Sequence, residues 1–170
     1  MTIATRTSNS AINTSKVANR RILRFDTIDQ MMAEVDRLVA AEQAGRLKGL
    51  GNWTLGQTLG HLAGWSEFGY TPAPLNPPFF IRWILKFMKK KFIYGPMPAG
   101  AKIPGVPGGT LVTEPMSLDD GLNRFRNVVE RVKIQPPTEP SPALGMLTHD
   151  ESIALNLRHA ELHLGFFIPE

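Results

Sequence analysis

At four places in this 170-residue chain a Thr or Ser stands three positions ahead of a Gln, Asp or Glu at the head of an apolar-periodic run. The pairs are Thr27 with Gln30, Thr54 with Gln57, Ser117 with Asp120, and Thr148 with Glu151. At that spacing the hydroxyl and the later side chain can each satisfy a free N–H at a helix start. The sequence therefore predicts four long helices. The first, 27 to 44, turns Ile28, Met31, Met32, Val35, Leu38 and Val39 inward and stops at Gly45. The second, 54 to 68, buries Leu55, Leu59 and Leu62. The helix at 118 to 134 packs through Leu122, Phe125, Val128, Val129 and Val132 and ends before Pro136-Pro137. The last runs from 148 to 167.

Between residues 71 and 116 lie nine of the fourteen prolines and five of the fifteen glycines. They flank a shorter helix expected over 78 to 92. The fold class that follows is all-α: a four-helix bundle with a long crossover between the second and third bundle helices, containing an extra helix. A short hairpin would fit only within KIPGVPGGTLVTEP, where the prolines argue against a substantial sheet. Residues 1–19, rich in Ser, Thr, Asn and Ala without periodicity, read as a disordered N-terminal arm ahead of a single domain over 20–170.

The net charge of +4 and pI near 9.6 come from two local patches. Residues 1 to 25 carry Arg6, Lys16, Arg20, Arg21 and Arg24 with no acid, and Arg82, Lys86, Lys89, Lys90 and Lys91 form a second all-basic cluster. The other nine bases face all fifteen acids. Basicity is thus not a property of the whole fold, and no nucleic-acid motif accompanies it, so nucleic acid is not the expected partner. The arm superficially resembles a transit peptide or a twin-arginine signal, but no apolar stretch follows its basic residues. No run of about eighteen apolar residues is present, so no spanning helix is expected. Cysteine is absent, which excludes disulfides, thiolate ligands and a cysteine nucleophile, and agrees with a cytoplasmic location.

Near the C-terminus the string HAELH places His159 and His163 four residues apart, about 40° from one another on a helical wheel. Two imidazoles on one face a turn apart are suited to hold a metal. Ser152 and Asn156 continue the same line, while Arg158 and Glu161 lie on the far side. Glu161 is about 200° from His159 and in the wrong order for a metalloprotease motif. His149 lies about 15 Å along the axis from His159, too far to share its ion. That leaves His61, on the second helix, as the histidine able to complete a three-His site. A single histidine beside leucines equally fits a satisfied core or rim position.

A helix that opens with an aromatic and a Thr cap and then carries one histidine, WTLGQTLGHL, followed much later by H-x-x-x-H, resembles the DinB-like (YfiT-like) superfamily of metalloenzymes. RRILRF, NWTLGQTLGHLAGW and LTHDESIALNLRHAELHLGFF resemble a bacterial branch of it known chiefly as a domain of unknown function. The similarity covers roughly 18 to 167 and is weak through the crossover. It implies a divalent metal (zinc, nickel, iron or manganese) held by His61, His159 and His163. It also implies chemistry like that of thiol-dependent transferases and isomerases, and a homodimer. The extra helix at 78 to 92 departs from the pattern.

The expected function is a divalent-metal-dependent transferase or hydrolase with an open three-histidine site. It would act on a small-molecule substrate, with a low-molecular-weight thiol supplied from outside. Ser152 and Asn156 are the expected contacts to substrate or ligands, and Trp65 a pocket wall. Glu67 and Glu114 are the acids available as a general base, with nothing to choose between them. One alternative is a non-catalytic bundle with a structural metal or none. Another uses FFIRWILKFMKKKF at a membrane surface; packing of that helix on the bundle flank, with snorkelling lysines, is preferred.

Overall fold

Each of the four capping signals opens a helix. In the computed structural model, which describes residues 11–75, 77–103 and 106–170, the hydroxyls of Thr27, Thr54, Ser117 and Thr148 accept hydrogen bonds from the N–H three residues on, at 3.1–3.2 Å. At Thr148 the reciprocal bond, from its own N–H to the Glu151 carboxylate, is also formed at 2.9 Å. The long helices are α1 (Ile28–Gln43), α2 (Leu55–Glu67), α5 (Leu118–Ile134) and α6 (His149–Leu164), joined between α2 and α5 by a crossover that contains α3 (Phe79–Phe87) and α4 (Lys89–Tyr94). Among the described residues the fold is all-α apart from one small sheet. The first ten residues of the expected arm lie outside the described residues. Residues 14–16 form a 3-10 turn, and Ile12 exchanges backbone hydrogen bonds with the Asn52 side chain at 2.8 and 2.9 Å.

The four long helices bury one core. Met31, Val35 and Leu38 of α1, Leu55, Leu59 and Leu62 of α2, Phe125, Val128 and Val132 of α5, and Leu157 and Leu164 of α6 all belong to it. α2 and α5 make the most extensive contact, because glycines stand on both sides of it. A Cβ at Gly121 would collide with the Gly56 carbonyl, and one at Gly56 with the Ser117 carbonyl.

Two expectations are corrected. The helix at 78 to 92 is two helices, broken at Met88, after which α4 turns to bury Ile93 and to pair Lys89 with Glu151 at 2.7 Å. The last helix ends at Leu164 instead of 167. A Cβ at Gly165 would stand 2.6 Å from the Arg21 carbonyl, so the N-terminal segment crosses tightly there, and Arg21 N–H donates to the Gly165 carbonyl at 2.9 Å. The small sheet lies outside the crossover. It pairs β1 (Leu47–Gly49) antiparallel with β2 (Phe167–Pro169), Lys48 opposite Ile168. KIPGVPGGTLVTEP, whose prolines argue against a sheet, has no strand among its described residues and carries a 3-10 turn at Pro107–Gly109.

Gly121→Ala is expected to lower stability by about 1–3 kcal/mol through overpacking, although the same change on an open helix surface gains about 1 kcal/mol. Urea unfolding measures the difference, and an unchanged midpoint would show that α2 and α5 do not approach this closely.

Candidate metal centre

The capping box at Thr148 fixes where α6 starts, and with it the face on which His159 and His163 emerge. Thr54 does the same for α2, two turns before His61. The three imidazoles converge between the two helices. Ring centroids are 5.1 Å apart for His61 and His159, 4.6 Å for His61 and His163, and 4.7 Å for His159 and His163. One ligand nitrogen from each lies within 4.8 Å of the other two. A tetrahedral ion at 2.0–2.1 Å from each nitrogen requires them about 3.4 Å apart. His61 is buried, and His159 and His163 are half-buried.

The crossover sets the chemistry of His61. Its Nδ1 lies 3.0 Å from the Leu111 carbonyl and 3.1 Å from that of Val112. Carbonyl oxygens only accept, so Nδ1 carries the proton and Nε2 is left as the free lone pair, the arrangement that orients a metal-binding histidine. Val112 holds φ of 56°, a left-handed conformation that costs a β-branched residue about 1–3 kcal/mol. The loop comes this close because the helix surface beneath it lacks side chains: a Cβ at Gly64 would meet Val112 Cγ1 at 2.6 Å.

Burial also settles protonation. Desolvation pushes His159 down to about 3, helped by the neighbouring His61. Desolvation, His159, His61 and the Arg20 guanidinium hold His163 well below its usual value. Desolvation lowers His61 too, opposed by the Val112 and Leu111 hydrogen bonds and by Glu114. All three are neutral at pH 7 and present lone pairs without first losing a proton.

Aromatic rings wall the site. Trp65 meets His61 and His159 edge-on at 6.2 and 5.9 Å, and its buried indole N–H has no partner among the described residues. Trp53 stacks on His163 at 5.5 Å and 14° and stands 4.7 Å from His61. It was not among the residues read as functional, although it immediately precedes the Thr54 cap. Asn156 is committed elsewhere: its Oδ1 is 2.5 Å from Ser66 Oγ and its amide donates to the Ser152 carbonyl at 2.8 Å. Ser152 is buried on the same line. Glu67 is held by the Arg124 guanidinium at 2.9 and 2.5 Å, so its carboxylate is occupied. Glu114 is exposed, close enough for its charge to raise His61. His149 stands apart from the site, its Nε2 2.7 Å from the Val132 carbonyl.

A family model described as "Protein of unknown function (DUF1569)" matches residues 17–170. The chain belongs to the DUF1569 family. The matched span of this DUF1569 chain contains all three histidines, both tryptophans of the site wall and the crossover that hydrogen-bonds His61. No curated protein and no solved structure matches it significantly.

The protonation states give a pH dependence with a definite sign. Each histidine's folded pKa lies below its unfolded value of 6.5, so the unfolded chain binds the extra protons. Their contribution to the metal-free chain is fully present above about pH 6.5 and is lost as pH falls toward the folded values. His159→Gln is expected to flatten the stability profile between pH 6 and 4.5 by up to about 1.4 kcal/mol per pH unit. Denaturant titrations of both proteins across that range measure it, and parallel profiles would contradict a desolvated, neutral His159.

Proposed function

We propose that this chain is a divalent-metal-dependent enzyme, a transferase using an external low-molecular-weight thiol or a hydrolase, of the DinB-like superfamily. The observation that carries the reading is the donor set: three neutral imidazoles from two helices and no fourth protein ligand among the described residues. Three ligands leave positions for water or substrate, the pattern of reactive rather than structural sites. The half-exposure of His159 and His163 supports access from solvent. A divalent ion held there supplies Lewis-acid polarisation and lowers the pKa of a bound water or thiol.

The protein's residues then have separable tasks. His61, fixed in its tautomer by the crossover carbonyls, offers Nε2 from the floor of the site. His159 and His163 complete the set from one helix face. Trp53 and Trp65 exclude water from the sides, and the unpartnered Trp65 N–H supports a role in orienting a polar group of the substrate. Arg20, whose charge reaches His163, favours an anionic nucleophile such as a thiolate. With no cysteine in the chain, such a thiol comes from outside. The proposed substrate is a small molecule, the proposed location cytoplasmic, and the proposed assembly a homodimer.

Protein produced with zinc, nickel, iron and manganese supplied in turn is expected to retain about one ion per chain. His61→Ala, His159→Ala and His163→Ala should each lower retention more than tenfold while circular dichroism stays helical. Cobalt substitution separates an open site from a closed one: adding a small thiol should change the visible spectrum of the cobalt protein. Absence of metal, or metal unaffected by all three substitutions, would remove the site. A bound cobalt whose spectrum ignores thiols and other small ligands would favour a structural metal.

A further inference from the structure

Helix α3 takes no part in the metal centre, and its exposed face is the more apolar one. Phe79, Phe80, Trp83, Ile84 and Phe87 are 83, 53, 64, 50 and 74 % exposed, and at 100° per residue they span an arc of about 140°. Leu85 and Met88 point the other way and are half-buried. Among the described side chains, flank packing therefore accounts for only the smaller apolar side of the helix. An exposed stripe of three phenylalanines, a tryptophan and an isoleucine is more than a water-facing surface ordinarily carries. The segment is nonetheless held in place. α4 seats it on α6 through buried Ile93, and Lys89 Nζ contacts the Glu151 carboxylate at 2.7 Å and the Met146 carbonyl at 3.1 Å.

Charge decides what this face meets. From residue 68 to 113 the sequence contains no Asp or Glu and six bases: Arg82, Lys86, Lys89, Lys90, Lys91 and Lys102. The Arg82 side chain lies outside the described residues. Lys86 stands at the border of the apolar stripe, and it, Lys90 and Lys91 are exposed. We propose that α3 and the start of α4 form an interfacial segment that lies in an anionic lipid surface. The aromatic stripe enters the headgroup–acyl boundary, and Lys86, Lys90 and Lys91 pair with lipid phosphates. A second copy docking through the same face would set two all-basic segments against each other, so charge favours lipid over self-association. Among the described residues no helix is long and apolar enough to cross a membrane, and the proposed mode is in-plane binding. The inference is independent of the metal site.

The test is co-sedimentation of the full chain with vesicles of phosphatidylcholine alone and of phosphatidylcholine with phosphatidylglycerol, at low and high salt. Binding is expected to the anionic vesicles only, and to weaken as salt rises. Lys86→Glu/Lys90→Glu/Lys91→Glu, and separately Phe79→Ser/Trp83→Ser/Phe87→Ser, should each reduce binding by about tenfold or more. All six side chains are exposed, so unchanged thermal unfolding and circular dichroism will show that the fold is kept. No binding to anionic vesicles at low salt would overturn the proposal, as would binding indifferent to both variants. A dimer abolished by the aromatic variant, without vesicle binding, would assign the face to a second copy instead.

Discussion

The crossover backbone lying on the glycine face of α2 is the contact on which the rest depends. It brings the carbonyls of Leu111 and Val112 to His61 Nδ1, and that contact decides which imidazole nitrogen faces His159 and His163. It is held by a residue in a strained conformation, Val112, above a helix position, Gly64, that tolerates no side chain. Further along, the same path carries Ser117 against Gly56 and starts α5 where it packs tightly on α2. Helix packing and ligand orientation thus share one cause: α2 has glycine at 56, 60 and 64, one face four residues apart.

The opposite side of α6 shows how a helix can present polar groups on two faces and still be buried. Arg158 and Glu161 are 4 and 8 % exposed. They pair at 2.7 Å and also clamp the backbone of Phe25: its N–H donates to Glu161 at 2.6 Å and its carbonyl accepts from Arg158. Burying such a pair costs desolvation that the Coulomb attraction alone does not repay. Here it satisfies a chain segment running over α6, and it keeps the histidine face of the helix turned toward α2. The N-terminal strap, α6 and β2 are tied together by the same short region, since Arg21 also donates to the carbonyls of Phe167 and Leu164 and pairs with Glu34.

The helices were legible because their starts are written in side chains: Thr27, Thr54, Ser117 and Thr148 each mark a boundary to within a residue. His159 and His163 were legible because helical spacing is a local property, and elimination of His149 and Glu161 needed only the geometry of one helix; His61, on another helix, followed as the remaining histidine and from the family resemblance. What was hidden depends on the backbone or on distant partners. The carbonyls that orient His61 leave no mark in the residue types of Leu111 and Val112. β1 and β2 are three residues each and meet only after the fold brings residue 48 to residue 168. The break at Met88 follows from the burial of Ile93 against α6, which the uninterrupted periodicity of the segment does not reveal. The hydroxyl of Ser66, which donates to the Asn156 side-chain oxygen, stands on the facing helix and leaves no mark on the histidine line of α6. The glycine spacing in α2 was in plain sight and could have announced a close-packed neighbour.

X-ray absorption spectroscopy of the metal-loaded chain tests the central claim most directly, since it counts and identifies the atoms around the ion. Three imidazole nitrogens at about 2.0–2.1 Å with one further light-atom ligand, falling to two imidazoles in His61→Ala, is the outcome this geometry requires. A shell with fewer than three imidazoles in the native chain, or one that His61→Ala leaves unchanged, would contradict it.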